Sequence, residues 1–527
     1  MNKYPSTPLN PGIVIYNFVA ALLRCHFSVL AACVLILLPG KILANDFPAE
    51  GQQLNTIIVP FKGEAVKNAR NYTFYIAEGN YNDYQIVNTM ALAREHATGN
   101  LLTFRLPAFG RQYTWFYIYY LGGVPKYSPL MHFSTAMTRS VDTTQTRCRI
   151  KSRNVQRLKE GYVLVDNEKT IYDLDGKAVW FLGFVDGVPV NQVPARDMKL
   201  TYDHHLSCIL SDGPKELDAL GNVIWKAPDT NKINHGVKER YHHEFTKLKN
   251  GRYMVMGVEP LVLEWVNGKN GQFKLVQSGV KIGDDFDKKK YVKVAFGTLM
   301  EYDSMGRVVW SWRSSEFYLN QTAFKNLPPG AEPDVHENAF WYDERNKVIY
   351  VNAKGTSDIL KVAYPSGKVL AQFGDGYGAN KGFSKVDMFC AQHAVKLNSM
   401  GEILVFNNDL CEGNRPPKVA SFTVKNEAIG ALKKVWEFKY PYFNDEQKHQ
   451  SSGTGGNVEP IGNDWVFMSF GLPHGNMVLV DRDKNILLDA VVENWDSSTS
   501  SWRVAAGYRV HFIHSQRELY QFLSKIE

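Results

Sequence analysis

Short runs of alternating apolar and polar residues, separated by glycine turns, fill most of the 527-residue chain. A period of two over about four to eight residues predicts β-strands rather than helices. From Cys148 onward the runs recur in a fixed order, in which a hairpin with a glycine turn feeds an apolar strand that often ends in tryptophan. The clearest copies are residues 172–180, 217–225 and 302–310.

This repeat predicts the fold. Six copies of a four-stranded unit are typical of a six-bladed β-propeller, which we place at residues 146–527. Residues 45–145 lack the repeat but contain short strands such as 72–77 and 113–120, which predict a small β-sandwich. The predicted fold class is therefore all-β, with an N-terminal β-sandwich domain ahead of the propeller.

Three histidines occupy one position of the repeat. His243 and His393 each lie eight residues before a turn glycine, Gly251 and Gly401, and His336 begins a third copy of the same frame. In a propeller the innermost strand of each blade lines the central channel, so equivalent positions meet at one mouth. We expect the three imidazole rings to face a common space. The predicted inner strands begin near Val155, His204, His243, His336, His393 and Asn457.

Three imidazoles around a channel can bind a metal, bind an anion or attack a substrate. Asn338 lies two residues after His336, so strand alternation predicts that its amide faces the same side. Lys354, in the paired strand 349–354, adds a fixed cation, whereas alternation turns Glu244 and Glu337 away. A site rich in donors and cations favours a tetrahedral oxyanion or a dianion.

The N-terminus is typical of a secretory signal peptide. Lys3 and Arg24 precede an apolar run at 27–39, and a cleavage site fits after Ala44. Residues 1–44 are therefore predicted to be removed on export to the periplasm. An uncleaved anchor, or a lipobox ending at Cys33, remains an alternative. No later segment is long enough to span a bilayer, so no stable membrane span is expected after processing.

Export changes how the cysteines are interpreted, because an oxidising compartment permits disulfides. Four cysteines follow the predicted signal, which allows three connectivities: Cys148, Cys208, Cys390 and Cys411. We favour a Cys390–Cys411 bond, since both residues flank one strand pair and the bond would brace the loop of His393. Free buried thiols are the alternative.

Charge excludes one class of partner. The formal net charge is +7, of which Lys3, Arg24 and Lys41 in the predicted signal contribute +3 without any acid. The remaining +4 is spread along the chain without basic runs. A nucleic-acid partner is therefore not expected.

Four spaced motifs resemble the bacterial aryl-sulfate sulfotransferases, which are periplasmic enzymes with a six-bladed propeller and an N-terminal β-domain. The resemblance covers most of residues 150–510. It implies a cofactor-free, ping-pong transfer of a sulfuryl group from a phenolic sulfate donor to a phenol acceptor, independent of a nucleotide donor. The motifs are His242-His243-Glu244, residues 334–338, Gln392-His393-Ala394, and residues 455–458 with Asn463.

The resemblance also implies roles for individual residues. His393 matches the family's nucleophile, which forms a sulfohistidine. His336 and Asn338 match positions that hold the sulfuryl oxygens. His243 matches another such position and is expected to protonate the leaving phenolate as well. The family carries an arginine where we place Lys354, and a lysine offers a point charge instead of a bidentate fork. Family members can form homodimers, so a homodimer is possible here.

Two other functions stay open at this point. A metal-dependent hydrolase or lactonase could use the same histidines as ligands, and would lose its activity in a chelator. No suitable carboxylate pattern joins the histidines, so no metal site is predicted. A non-catalytic propeller that binds a partner through its rim would be unaffected enzymatically by loss of His393.

Overall fold

The computed structural model describes most of the chain from residue 46 onward. The predicted signal peptide and Cys411 lie outside the described residues. The described ranges are 46–69, 71–190, 192–228, 240–266, 273–276, 287–288, 290–321, 324, 330, 334–374, 388–410, 415–450 and 452–525.

The N-terminal part forms two β-sheets. In the larger sheet the strand order is β1-β8-β6-β3-β4, with β7 beside β6, whereas β2 and β5 pair as a second sheet. The two sheets face each other through aromatic side chains, and the rings of Phe61 and Trp115 lie 5.2 Å apart. The strands are β1 (Gln52–Leu54), β2 (Ile58–Lys62), β3 (Tyr72–Glu78), β4 (Ala91–Ala97), β5 (Leu101–Arg105), β6 (Gln112–Leu121), β7 (Val124–Tyr127) and β8 (Met131–Thr135).

Twenty-nine further strands follow in the described part of the chain. They are β9 (Thr146–Arg153), β10 (Tyr162–Val165), β11 (Thr170–Asp173), β12 (Ala178–Phe181), β13 (Phe184–Val185), β14 (Val188–Pro189), β15 (Arg196–Leu200), β16 (Leu206–Leu210), β17 (Gly213–Leu217), β18 (Val223–Lys226), β19 (Tyr241–Lys247), β20 (Tyr253–Trp265), β21 (Phe273–Val276), β22 (Tyr291–Tyr302), β23 (Val308–Arg313), β24 (Glu337–Asp343), β25 (Val348–Ala353), β26 (Asp358–Ala363), β27 (Val369–Gly374), β28 (Ala394–Leu397), β29 (Ile403–Asn407), β30 (Lys418–Asn426), β31 (Ala431–Lys439), β32 (Asn457–Ile461), β33 (Trp465–Ser469), β34 (Asn476–Asp481), β35 (Ile486–Asp496), β36 (Ser501–Val504) and β37 (Val510–Ile513).

Helices are few and short. Asp83 caps the first of them by accepting from the backbone N–H groups of Gln85 and Ile86. The described helices are α1 (Tyr84–Thr89), α2 (Ser315–Tyr318) and α3 (Gln516–Leu523), with single 3₁₀ turns at Arg139–Val141 and Gln447–His449. None of the helices in the described ranges has the length and apolar character needed to cross a membrane.

The strands after residue 146 form an all-β propeller, as predicted. Six antiparallel sheets of four or more strands are present in the described residues, and we number them by position along the chain. Their central paths are β37-β10-β11-β12 (sheet 1), β15 to β18 (sheet 2), β19-β20-β22-β23 (sheet 3), β24 to β27 (sheet 4), β28 to β31 (sheet 5) and β32 to β35 (sheet 6). The first strands of these paths contact one another in a closed ring, in the order of the sheets.

The ring closes through the C-terminus. The strand β37 pairs with β10, with Val163 opposite Phe512, so the innermost strand of sheet 1 comes from the end of the chain. The predicted inner strand near Val155 was therefore wrong. In sheet 2 the inner strand β15 ends before His204, which lies in the turn that follows. A local repeat shows the hairpins but not which distant strand completes a sheet.

The N-terminal domain and the propeller share one hydrophobic core. The backbone N–H of Ile57 donates to the carbonyl of Val179 at 3.0 Å. Trp180 is fully buried, donates its indole N–H to the Ala219 carbonyl at 2.8 Å, and lies 5.3 Å from the ring of Phe522 in α3. This core therefore joins the sandwich, sheets 1 and 2, and the C-terminal helix.

Cys148 and Cys208 are buried free thiols. Cys390 is also buried, and its predicted partner Cys411 lies outside the described residues, so the Cys390–Cys411 disulfide stays a prediction. The signal peptide, the location in the periplasm and the homodimer stay predictions as well.

Replacing Trp180 with alanine tests the shared core. We expect Trp180→Ala to lower the free energy of unfolding by about 3–5 kcal/mol, because the change removes a large buried ring and leaves a cavity. Urea unfolding measures it, with Trp495→Ala as the control, since Trp495 is 36% exposed. Equal losses in the two variants would show that Trp180 is not a core residue.

Candidate active site

The three predicted histidines meet at one mouth of the propeller. His336 and His393 immediately precede the inner strands β24 and β28, and His243 lies near the start of β19. The ring of His243 lies 5.6 Å from that of His336 and 6.1 Å from that of His393, between ring centroids. The repeat position thus brings together side chains from sheets 3, 4 and 5.

Two of the histidines have strained backbones. His243 has φ +63° and His336 has φ +53°. This left-handed conformation is uncommon for residues other than glycine. The pairing of β19 with β20 is irregular around His243, and that of β24 with β25 is irregular just after His336, between Glu337 and Ala339. Such strain persists only where surrounding structure imposes it, and it is concentrated at functional sites.

The Nε2 atom of His393 is held as a hydrogen-bond acceptor. The ring is 2% exposed, and its Nε2 lies 3.3 Å from the backbone N–H of Gly455 and 3.0 Å from the Tyr508 hydroxyl. Because an amide N–H can only donate, Nε2 must carry a lone pair and the ring proton must be on Nδ1. Nδ1 has no hydrogen-bond partner among the described residues.

Two glycines allow this contact. Gly455 has φ +71°, and a Cβ there would lie 2.6 Å from the Tyr508 carbonyl oxygen. Gly456 has φ +108° and donates its N–H to the same carbonyl at 2.9 Å, while a Cβ would overlap the Phe406 ring. The loop that precedes β32 can therefore approach His393 only with glycine at both positions.

Burial keeps the imidazoles of His243 and His393 neutral. Burial, and then the charges of Arg509, Lys354 and nearby groups, holds the pKa of His393 well below its usual value. Burial and the neighbouring histidines lower the pKa of His243 in the same way. In both rings desolvation disfavours the cation, so a neutral imidazole with a free lone pair is available at pH 7.

Asn338 lies elsewhere than strand alternation predicted. Its side chain is fully buried, with Nδ2 donating to the Gln392 carbonyl at 3.0 Å and Oδ1 accepting from Asn352 at 2.5 Å. The pairing of β24 with β25 shifts register between Glu337 and Ala339, and this bulge breaks the alternation. In this structure Asn338 braces the turn that carries His393.

Lys354 lies close to the cluster, as expected. It is half-buried, and its Nζ donates to the Gly453 carbonyl at 3.0 Å. Burial lowers its pKa, while the charge of Asp334 opposes that effect. Asp334 also lies 3.4 Å from Nδ1 of His336. The carboxylates Glu244 and Glu337 are both buried away from solvent, in agreement with the expectation from alternation.

Arg509 lies buried beneath the histidines and was not predicted from the sequence. Its guanidinium is 2.7 Å from Glu244 and 3.1 Å from Asp197, and it donates to the backbone carbonyls of Asn338 at 2.6 Å and His393 at 3.3 Å. Lys396 also pairs with Glu244, at 2.8 Å.

These ion pairs set the ionisation of Glu244. Burial alone raises its pKa, but the charges of Lys396, Arg509 and Lys199 lower it to about 2. Sequence reasoning missed Arg509 and its neighbour Tyr508 because both lie in the turn that leads into the closing strand β37. The available signal was the interruption of the apolar run 504–513 by Arg509 and His511.

A possible metal-ligand group lies away from the histidine mouth. In the described part of the chain, ligand atoms of Asp203, His205 and Glu216 are close enough together to hold an ion. The ammonium of Lys247 lies 2.7 Å from both carboxylates, where a cation would be held. The group belongs to the turn after β15 and to β17, so His204 and His205 do not join the three-histidine cluster.

The fold and the site define a β-propeller whose inner strands deliver three histidines to one mouth. The family model described as Arylsulfotransferase (ASST) matches residues 150–474. The chain therefore belongs to the arylsulfotransferase family, and this membership supports arylsulfotransferase activity in general terms.

Similar solved structures include a protein of unknown function from Bacteroides caccae (12% identity, 68% of this chain and 100% of that chain, TM-score 0.38). Others are the β-propeller domain of Cps50 (Swd1) from Myceliophteria thermophila (9%, 59% and 95%, TM-score 0.27) and a putative 6-phosphogluconolactonase from Bacteroides uniformis (9%, 67% and 99%, TM-score 0.27). Similarity at this level carries no functional conclusion. No curated protein matches the chain.

Replacing Arg509 with methionine tests the buried ion network. We expect Arg509→Met to destabilise the protein by about 3–5 kcal/mol, because Glu244 and Asp197 lose a partner while remaining buried. Urea unfolding gives the measurement. In the control, Arg503→Met removes an exposed ion pair with Asp496 and should cost under about 1 kcal/mol. A small loss of stability in Arg509→Met would mean that Lys199 and Lys396 alone can neutralise the buried carboxylates of Glu244 and Asp197.

Proposed function

We propose that this protein transfers a sulfuryl group from a phenolic sulfate ester to a phenol, through a sulfohistidine formed on His393. The observation that carries the proposal is the position of His393: its ring, with a lone pair on Nε2, lies beside His243 at the mouth where His243 and His336 converge. Membership of the arylsulfotransferase family supports the choice of reaction.

The two half-reactions balance without a cofactor. In the first, the Nε2 lone pair of His393 attacks sulfur and forms an N–S bond, while the bond between sulfur and the aryl oxygen breaks and its electron pair leaves on the phenolate. In the second, an acceptor phenol gives its proton to the neutral ring of His243, its oxygen attacks sulfur, and the N–S electron pair returns to Nε2. The Tyr508 hydroxyl, 3.0 Å from Nε2, and the Gly455 N–H, 3.3 Å away, must both release this lone pair before the attack.

The neighbouring groups supply charge stabilisation. Sulfuryl transfer should resemble phosphoryl transfer in its loose transition state, so positioning and electrostatics carry most of the catalysis. In this proposal His336 and Lys354 bind the sulfuryl oxygens. We assign the leaving phenolate to an N–H of His243, whose neutral ring becomes easier to protonate once a negative group lies beside it.

The metal-dependent alternative has less support. The ligand group found among the described residues lies on the turn after β15, with an ammonium between its carboxylates. A hydrolase built on the histidine cluster would need carboxylate or water ligands there. No specific observation favours a purely binding role over transfer either.

Removing the proposed nucleophile is the central test. We expect His393→Ala to lower the acceptor-dependent release of nitrophenolate from 4-nitrophenyl sulfate by about three orders of magnitude or more, since the proposed sulfuryl intermediate forms on this ring. The assay contains phenol and a chelator. His514→Ala is the control, because the side chain of His514 is 54% exposed near the C-terminus.

Different outcomes of this assay separate the candidate functions. Release that persists in His393→Ala would exclude a sulfohistidine on this residue. Release that needs no acceptor, or that returns only with added metal, would favour a hydrolase. Mass spectrometry of donor-treated enzyme should find one sulfuryl group on the peptide that contains His393.

The pKa of His393 predicts a pH effect on stability. Because the folded pKa lies well below the usual value of about 6.5, the unfolded chain binds this proton first as the pH falls. Wild type should therefore lose stability relative to His393→Gln between about pH 6.5 and pH 5, by up to about 1.4 kcal/mol per pH unit. Urea unfolding at both pH values measures this difference. A difference that stays constant or grows on acidification would show that the ring is not held neutral.

A further inference from the structure

An arginine without an ionic partner lies at the histidine mouth. Arg196 is the first residue of β15, the inner strand of sheet 2, and it is exposed. Among the described residues its side chain has no ion pair and no hydrogen bond. Its guanidinium carbon lies over the ring of Tyr508, 5.1 Å from the ring centroid.

Tyr508 connects this guanidinium to the histidine cluster. The Tyr508 hydroxyl lies 3.0 Å from Nε2 of His393, and the Tyr508 ring centroid lies 5.6 Å from that of His393 and 5.8 Å from that of His243. Arg196 is thus separated from the proposed nucleophile by the width of one aromatic ring.

The positive charge of Arg196 affects the pKa of two histidines at the mouth, His393 and His242. Burial is the main cause that lowers the pKa of His393, and the positive charge of Arg196 adds to it. Burial likewise lowers the pKa of His242 to about 4, again with a contribution from Arg196. A cation that disfavours further positive charge in the cluster also favours a bound anion there.

A sulfuryl group needs more donors than Lys354 can offer. The Lys354 ammonium is a compact charge, and one of its hydrogens already points to the Gly453 carbonyl. A guanidinium is planar and can donate two parallel N–H bonds to two oxygens of one anion. When it stacks on an aromatic face, as Arg196 does on Tyr508, its N–H edge remains available.

We propose that Arg196 is a substrate-binding residue that donates to two sulfuryl oxygens of the aryl sulfate, together with Lys354. The proposal rests on the proposed function for the identity of the substrate. The observations that carry it are the position of Arg196 at the histidine mouth, its exposure, its lack of an ionic partner, and its contact with the tyrosine that touches His393.

Equilibrium binding tests the assignment separately from catalysis. Titration calorimetry with 4-nitrophenyl sulfate is carried out in the His393→Ala background, where no transfer interferes, and with inorganic sulfate on the wild-type protein. We expect Arg196→Gln to weaken both ligands about 10- to 100-fold, which corresponds to loss of charge-assisted hydrogen bonds. The affinities of Arg196→Lys should fall between those of the protein with Arg196 and those of Arg196→Gln. Lysine keeps the positive charge but cannot donate two parallel N–H bonds.

Arg345→Gln is the matched control. Arg345 is also an exposed arginine, but it lies in the turn after β24, at the opposite end of an inner strand. This change should leave both affinities within about twofold. Replacing Arg196 with glutamine should also leave the affinity for phenol, which is neutral at pH 7, within about twofold. Thermal melting of each variant checks that the fold is retained.

The outcomes separate this inference from the proposed function. Unchanged affinities in Arg196→Gln, or no measurable binding of sulfate by the wild type, would overturn the role of Arg196 even if the enzyme transfers sulfuryl groups normally. Loss of sulfate binding in Arg196→Gln together with no transfer by the wild type would keep Arg196 as an anion ligand and overturn the proposed reaction.

Discussion

The buried guanidinium of Arg509 is the interaction on which the mouth of the propeller depends. It pairs with Asp197 of sheet 2 and Glu244 of sheet 3, and it donates to backbone carbonyls in sheets 4 and 5. Few side chains other than arginine offer enough N–H groups in a fixed plane to bridge so many strands. Burying this cation is costly by itself, and the surrounding carboxylates and carbonyls offset that cost.

The C-terminal segment closes the ring with β37 and completes the candidate site with the two residues just before that strand. Tyr508 precedes Arg509, and a buried carboxylate, Asp166 of sheet 1, accepts the backbone N–H of both residues at 2.9 and 2.8 Å. The hydroxyl next to His393 is therefore positioned only when the C-terminal strand has joined β10. Completion of the fold and assembly of the site are one event, because the last segment of the chain supplies both.

The sequence predicted what depends on local periodicity. Repeated hairpins identified the propeller, and one repeat position identified His243, His336 and His393, which the structure brings together. Three features of the structure could not be predicted from local periodicity. The closing strand pairs with a strand about 350 residues earlier, a bulge redirects Asn338, and the inner strand of sheet 2 ends before His204 instead of beginning there. Periodicity contains no information on distant pairing, and a single inserted residue reverses strand alternation.

The electrostatics of the mouth account for the combination of neutral histidines and nearby cations. Burial and the charges of Arg509, Lys354 and Arg196 keep the proton off His393, so the lone pair needed for attack is present before the substrate arrives. An arriving sulfate ester brings negative charge into the same space, which raises the affinity of His243 for a proton. In the proposed reaction the resting site therefore holds a nucleophile, and acid character would develop next to the leaving group only when an anion is bound.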